Sequence, residues 1–185
     1  EIYLDAERFH DAVAATPASA VLMMAVVDKV GTFAMLRYCV QLFPDATRFF
    51  IPLIVTLAVI GIIYGAILAI GQTDMMRLIA YTSISHFGFI VLGIFAMTST
   101  AHVGANLYMI NHGFTTGALF LFAGFLVARG RSKNIPDYGG WQRVTPVLAG
   151  VFLVAGLSGL ALPGLNSFVS EFLVMAGTYP KYKLA

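Results

Sequence analysis

The chain has 185 residues, 59% hydrophobic and only 11% charged, with a formal net charge of +2 and a mean hydropathy of +0.85. Soluble domains carry about 25% charged residues, so this composition points to a chain solvated mainly by lipid and neighbouring helices and away from a water-solvated globule, and the net charge is too small to suggest nucleic-acid binding. The single cysteine, Cys39, excludes an internal disulfide and lacks the company a metal site needs, so it reads as a small packing residue.

Taken in order, the chain begins with a polar stretch of mixed charge, Glu1 to Asp11, which lacks the apolar run of a signal peptide. A membrane crossing needs about 20 mostly apolar residues. Five stretches qualify: Ala18 to Phe43, Phe50 to Gly71, Arg77 to Met97, His102 to Val127 and Thr145 to Gly177. The predicted fold is therefore all-α, a polytopic bundle of transmembrane helices. It divides into an N-terminal polar segment (1–17), the bundle (18–177) and a C-terminal tail (178–185).

Pro44-Asp45-Ala46-Thr47 is predicted to turn the chain after the first span and Gly71-Gln72-Thr73-Asp74 after the second, with Met97 to Ala101 joining the third to the fourth. Arg129 to Arg143 is the long polar loop. The last span is too long for one straight helix, and its centre carries Leu162-Pro163-Gly164 followed by Asn166 and Ser167. Proline removes a backbone donor and clashes with the preceding turn, so a broken helix is predicted, with halves near 145–161 and 165–177. Irregular backbone at that depth persists only against protein or a water-filled cavity. Five alternating passes put the N-terminus with Arg8, Arg77 and the 129–143 loop on one side, and Arg48, Lys181 and Lys183 on the other. The basic excess marks the first side as cytoplasmic.

Four ionisable residues fall inside these apolar stretches: Lys29, His86, His112 and Glu171, each on a different helix. A cation at bilayer depth costs roughly 2.5–3.5 kcal/mol even on insertion scales. Lysine, histidine and carboxylate all exchange protons, and such series mark proton paths through membranes. Hydroxyls and amides suited to holding water surround them: Tyr81, Thr82, Ser83 and Ser85 near His86; Asn111, Thr115 and Thr116 near His112; Ser167 and Ser170 near Glu171.

Each residue also has a structural reading. The histidines suit interhelical hydrogen bonds. Lys29 suits a buried ion pair with Glu171 or Asp28, and Glu171 suits the positive end of a broken half-helix. Neighbouring helical residues point apart, so Asp28 is expected to face away from Lys29, toward another chain or a wet crevice. His102 reads as interfacial, Tyr138 and Trp141 as headgroup-level aromatics, and Gly61, Gly65, Gly88 and Gly93 as close-packing positions. Phosphate loops, dinucleotide fingerprints, CxxC pairs and nucleophile elbows are all missing from the sequence, which offers no redox chemistry of its own.

The stretches Asp28-Lys29-Val30-Gly31-Thr32-Phe33 through Tyr38, and Gly71-Gln72-Thr73-Asp74 through Ser85-His86-Phe87-Gly88, closely resemble the antiporter-like subunits of respiratory complex I. Asn111-His112-Gly113, Leu162-Pro163-Gly164 and Phe168-Val169-Ser170-Glu171-Phe172 agree. The resemblance covers about residues 16–178, the central and later helices of a longer family member, and implies a fragment with altered ends. Glu171, where sister subunits carry lysine, together with Gln72-Thr73-Asp74, favours the chain M (subunit 4) type over chains L and N. Met76 departs from the basic residue usual before the arginine that matches Arg77.

By resemblance, Lys29 joins two half-channels, His86 and His112 belong to a central hydrophilic axis, and Glu171 ends the relay. The resemblance implies that the family's upstream lysine–glutamate pair would fall before residue 1. The implied role is proton translocation in the bacterial inner membrane, coupled to quinone reduction elsewhere in an NADH-quinone oxidoreductase. The other membrane subunits, sister antiporter-like chains among them, and the lipid bilayer would be the partners, with no nucleic acid. NADH, FMN, iron–sulfur clusters and quinone would lie in partner subunits, and this chain would hold neither cofactor nor metal. Two alternatives share the same helices: a subunit of a multisubunit cation/proton antiporter, and a non-transporting membrane scaffold.

Overall fold

A computed structural model describes residues 17–182. The polar segment 1–16, including Arg8, and Lys183 in the tail lie outside the described residues. The described part is a helical bundle, and its one β-type pairing is an isolated bridge between Asp74 and Asn134. Four helices are long and apolar enough to cross a membrane: α1 (Pro17–Leu42), α2 (Pro44–Ile70), α3 (Met75–Phe95) and α4 (Ser99–Gly130). Two shorter helices follow, α5 (Pro146–Gly159) and α6 (Asn166–Thr178). At 1.5 Å per residue each of these is about 20 Å long, too short to cross alone, and they follow one another along α4, α5 beside Thr115 and α6 beside Gly104.

The turn predicted over Pro44 to Thr47 is instead the first turn of α2. Proline costs nothing there, because its missing N–H would have had no intrahelical partner, and Asp45 complements the positive helix end. The chain reverses at Phe43 (φ −126°, ψ 60°). Thr47 Oγ1 closes the junction by donating to the Cys39 carbonyl at 2.8 Å. The Cys39 side chain, read as a small packing residue, is exposed on this chain.

The turn at 71–74 forms as predicted. The Asp74 carboxylate caps α3 by accepting from Arg77 N at 3.0 Å. Met75 N donates to Lys133 O at 2.9 Å and Ile135 N to Thr73 O at 2.8 Å, so this turn and the long polar loop are joined at the same end of the bundle. N-caps of this kind are worth about 0.5–2 kcal/mol. Asp74→Ala is therefore expected to cost about 1 kcal/mol, read as a lowered thermal midpoint of the detergent-solubilised protein. At the opposite end Thr98 caps α4 by accepting from Ala101 N, and its hydroxyl donates to Gly177 O at 2.9 Å.

Helices α3 and α4 form the centre. One apolar cluster gathers Ile90, Ile94 and Phe95 of α3 with Ala105, Tyr108 and Met109 of α4, plus Val55 of α2 and Val174 of α6. A second, toward the other end, gathers Met75, Met76, Ile79 and Ala80 with Phe120, Ala123 and Leu126, plus Ala20 and Met24 of α1. Between the two, α3 carries Ser83, Ser85 and His86, and α4 carries Asn111, His112, Thr115 and Thr116. The bundle is thus apolar at both ends of its core and polar at mid-depth.

Close backbone approaches hold α2 against α3, α3 against α4, and α4 against α6. A Cβ at Gly88 would lie 2.8 Å from the Ala58 carbonyl, and one at Gly104 2.7 Å from Val174 N. Gly65 and Gly93 are similarly tight, whereas a Cβ at Gly61 would meet nothing within 4 Å among the described residues, so it is not a packing position there.

Candidate functional site

The break between α5 and α6 sets one wall of the site. Ala161 (φ 50°) and Gly164 (φ 97°) take left-handed backbone around Pro163. A polar cluster fastens the two ends of the break to α4. Ser158 on α5 bonds Asn166 Oδ1 across the gap, and Thr115 lies 3.1 Å from Ser158 Oγ. Asn111 Nδ2 donates to the Asn166 carbonyl at 2.7 Å and lies 3.3 Å from Ser170 Oγ. Proline and glycine free backbone groups that lipid would leave unsatisfied, and these amides and hydroxyls are positioned to hold the broken backbone against α4.

Glu171 stands one turn past the break. The first turn of α6 holds no acidic residue, so Glu171 does not cap the half-helix. Its partner is Tyr108 of α4, whose hydroxyl donates to Glu171 Oε1 at 2.5 Å. The Tyr108 ring centroid is 5.9 Å from that of His86 and 6.3 Å from that of His112, and the two histidine rings meet edge-on at 5.4 Å. His112 is 1% exposed. Its Nε2 lies 3.1 Å from Thr116 Oγ1, one turn along, and its Nδ1 has no hydrogen-bonding partner among the described residues. His86 also approaches the backbone of Gly159 at the end of α5.

Lys29 enters from α1, whose regular winding is interrupted on either side of it by π-helical stretches, Leu22–Val27 and Met35–Cys39. Such wide turns are rare and recur at functional sites. The buried stripe of α1 is Ala20, Met24, Asp28 and Thr32, so Asp28 turns into the bundle and not toward another chain. Helical side chains lean toward the N-terminus, and Lys29 Nζ accordingly donates to the Met24 carbonyl at 2.7 Å. Lys29 lines a groove of about 630 Å³ between α1 and α4 with Ala25, Asn106, Met109 and Gly113. It lies within electrostatic reach of both histidines.

The structure therefore brings His86, His112 and Glu171 to one mid-depth belt, with Lys29 at its edge. Several hydroxyls expected around the histidines serve elsewhere. Ser85 donates to Ile62 O at 2.9 Å and Thr82 to Ile79 O at 2.8 Å. His102 reaches back to the Ile94 carbonyl at 2.8 Å near the start of α4. Among the described residues no three His, Cys, Asp or Glu side chains gather to hold a metal ion. The residue that sequence reasoning missed is Tyr108. Its signal was periodic: Tyr108, Asn111, His112, Thr115 and Thr116 recur at helical spacing on one face of α4.

Fold and site define the class: a multi-pass helical membrane protein with a broken helix and a titratable polar belt at mid-depth. The chain belongs to the family described as "NADH:quinone oxidoreductase/Mrp antiporter, TM", whose model matches residues 9–184. It is 67% identical over 174 residues to NADH-quinone oxidoreductase subunit M of Mycobacterium tuberculosis, covering 94% of this chain and 32% of that protein. It is 37% identical to NADH-ubiquinone oxidoreductase chain 4 of Marchantia polymorpha, covering 93% of this chain and 35% of the relative.

Among solved structures it resembles a chain of respiratory complex I from Thermus thermophilus with bound NADH, with a TM-score of 0.85 and 34% identity over 89% of this chain and 35% of that one. A chain of an archaeal membrane-bound sulfane sulfur reductase shares the fold at 23% identity, with a TM-score of 0.80 over 90% of this chain and 34% of its own. The chain thus spans about a third of the length of the relatives it matches. Family and helices together make it a multi-pass membrane protein.

Proposed function

We propose that this chain is part of the proton-translocating, chain M type subunit of an NADH-quinone oxidoreductase, and that protons pass along Lys29, His86, His112 and Glu171. The observation that carries the reading is the contact of titratable side chains from α3, α4 and α6 in one belt, with rings 5.4–6.3 Å apart and a carboxylate bonded at its end. One water between two groups spans about 5.5 Å, two hydrogen bonds end to end. Buried polar atoms are nearly always satisfied by protein or water. The two with no hydrogen-bonding partner among the described residues, Ser83 Oγ and His112 Nδ1, both lie in the belt.

Electrostatics supplies the coupling. Two unit charges 5.4 Å apart repel by about 3 kcal/mol at an effective dielectric constant of ~20. The histidine pair therefore holds one proton at a time, and a charge arriving at Lys29 drives that proton onward. Quinone reduction would occur in other subunits, which would also hold NADH, FMN and the iron–sulfur clusters. This chain would pack against sister antiporter-like subunits and lipid, with the end bearing Arg77 and the 129–143 loop facing the cytoplasm. The relatives named as NADH oxidoreductase subunits favour this reading over a cation/proton antiporter.

The test is Glu171→Gln in the full complex in inverted membrane vesicles, read by the quenching of a pH-sensitive dye during NADH oxidation. The complex is expected to assemble and proton uptake to fall at least ten-fold. Undiminished uptake by an assembled Glu171→Gln complex overturns the reading, and ion-driven transport without NADH would establish the antiporter alternative.

A further inference from the structure

We propose that Tyr108 is a link in the same path, handing the proton from the histidine pair to Glu171. This rests on the reading above and adds a residue to it. Tyr108 is 0% exposed, and its hydroxyl is bonded to Glu171 Oε1. Its ring touches both His86 and His112. Its ring thus lies against both histidines while its hydroxyl holds the carboxylate.

A structural tyrosine would need only a carbonyl to satisfy its hydroxyl. This one is aimed at a titratable group and stands between that group and two others. A hydroxyl has one donor and two acceptor lone pairs. The donor is committed to Glu171, which leaves the lone pairs to accept a proton that arrives from the histidine side.

The step balances without forming tyrosinate. The N–H bond of a protonated imidazole breaks, directly or through one water, and a new O–H bond forms at Tyr108 Oη. In the same movement the original Oη–H proton transfers to Glu171 Oε1. The histidine ends neutral, the tyrosine ends as it began, and the carboxylate ends protonated. When Glu171 passes its proton on, rotation of the hydroxyl restores the starting bond.

Tyr108→Phe keeps the ring and removes only the hydroxyl. In vesicles carrying the full complex, it is expected to lower proton uptake per NADH oxidised by as much as Glu171→Gln does. If Glu171→Gln abolishes uptake and Tyr108→Phe pumps at the wild-type ratio, Tyr108 is not in the path and the broader reading survives. If both pump normally, the reading and the link fall together. A fluorinated tyrosine at position 108 covers a failure of the phenylalanine variant to assemble, because it preserves shape and hydrogen bond and changes the acidity of the hydroxyl. It is expected to alter the uptake rate at least two-fold at unchanged NADH oxidation with an artificial acceptor, whereas an unaltered rate would make Tyr108 a packing residue and overturn the proposal.

Discussion

Lys29→Arg is expected to stop proton passage as completely as Lys29→Met. Both substitutions are informative because they remove different things. Methionine removes the charge and the donor to Met24 O while keeping an unbranched chain of similar volume. It also removes a cation whose placement at bilayer depth costs roughly 2.5–3.5 kcal/mol, so the variant is expected to insert at least as well as the native chain. Arginine keeps the charge and the capacity to bond Met24 O, but a guanidinium does not deprotonate in proteins. If Lys29 served only as a fixed counter-charge, Arg would substitute for it. If Lys29 must release its proton, Arg fails. Proton uptake by vesicles carrying the assembled complex decides the matter: a loss of at least ten-fold in both variants is expected, and an arginine variant that pumps normally makes Lys29 a static charge.

The spans were legible because bilayer thickness fixes their length and lipid requires their apolarity, and both constraints act on composition alone. The break was legible for a similarly local reason, since Pro163 and Gly164 cannot continue a helix at any depth. The boundaries were less so. Pro44 signals a turn and the first turn of a helix equally well, and here Asp45 and the Thr47–Cys39 bond decide for the helix. Lys29, His86, His112 and Glu171 stand out in an apolar chain because each costs free energy to bury. Tyr108 does not, because tyrosine is cheap to bury and common here, with 8 in the chain. Its importance lies in a contact to α6 at 63 residues' separation, which local pattern does not encode. Asp28 was misplaced for a related reason. The facing of a helix depends on which neighbours pack against it, and π-helical turns on both sides of Asp28 and Lys29 offset the simple 3.6-residue register.

Gly177→Leu is expected to prevent the subunit from accumulating in the membrane, and Gly177→Ala to let it accumulate with impaired transport. A Cβ at Gly177 would meet Ala101 N, with Ala101 Cα and Cβ at 2.8 Å. These are backbone and near-backbone atoms of α4, so no side-chain rotation relieves the clash, and the two helices must part. Overpacking typically costs 1–3 kcal/mol, and the full leucine side chain adds to a clash already present at its first carbon. Parting is resisted nearby, where Thr98 bonds the Gly177 carbonyl and Val174 is wedged between Gly93 and Gly104. The alanine variant is the more revealing one. A shift of α6 by about 1 Å would stretch the 2.5 Å bond between Tyr108 and Glu171 to the limit of hydrogen bonding. Proton uptake should therefore fall several-fold while the amount of assembled complex, followed by native gel, changes little. Should Gly177→Ala transport at the wild-type rate, the fit of α4 against α6 would set only stability, and the Tyr108–Glu171 bond would tolerate more displacement than its geometry implies.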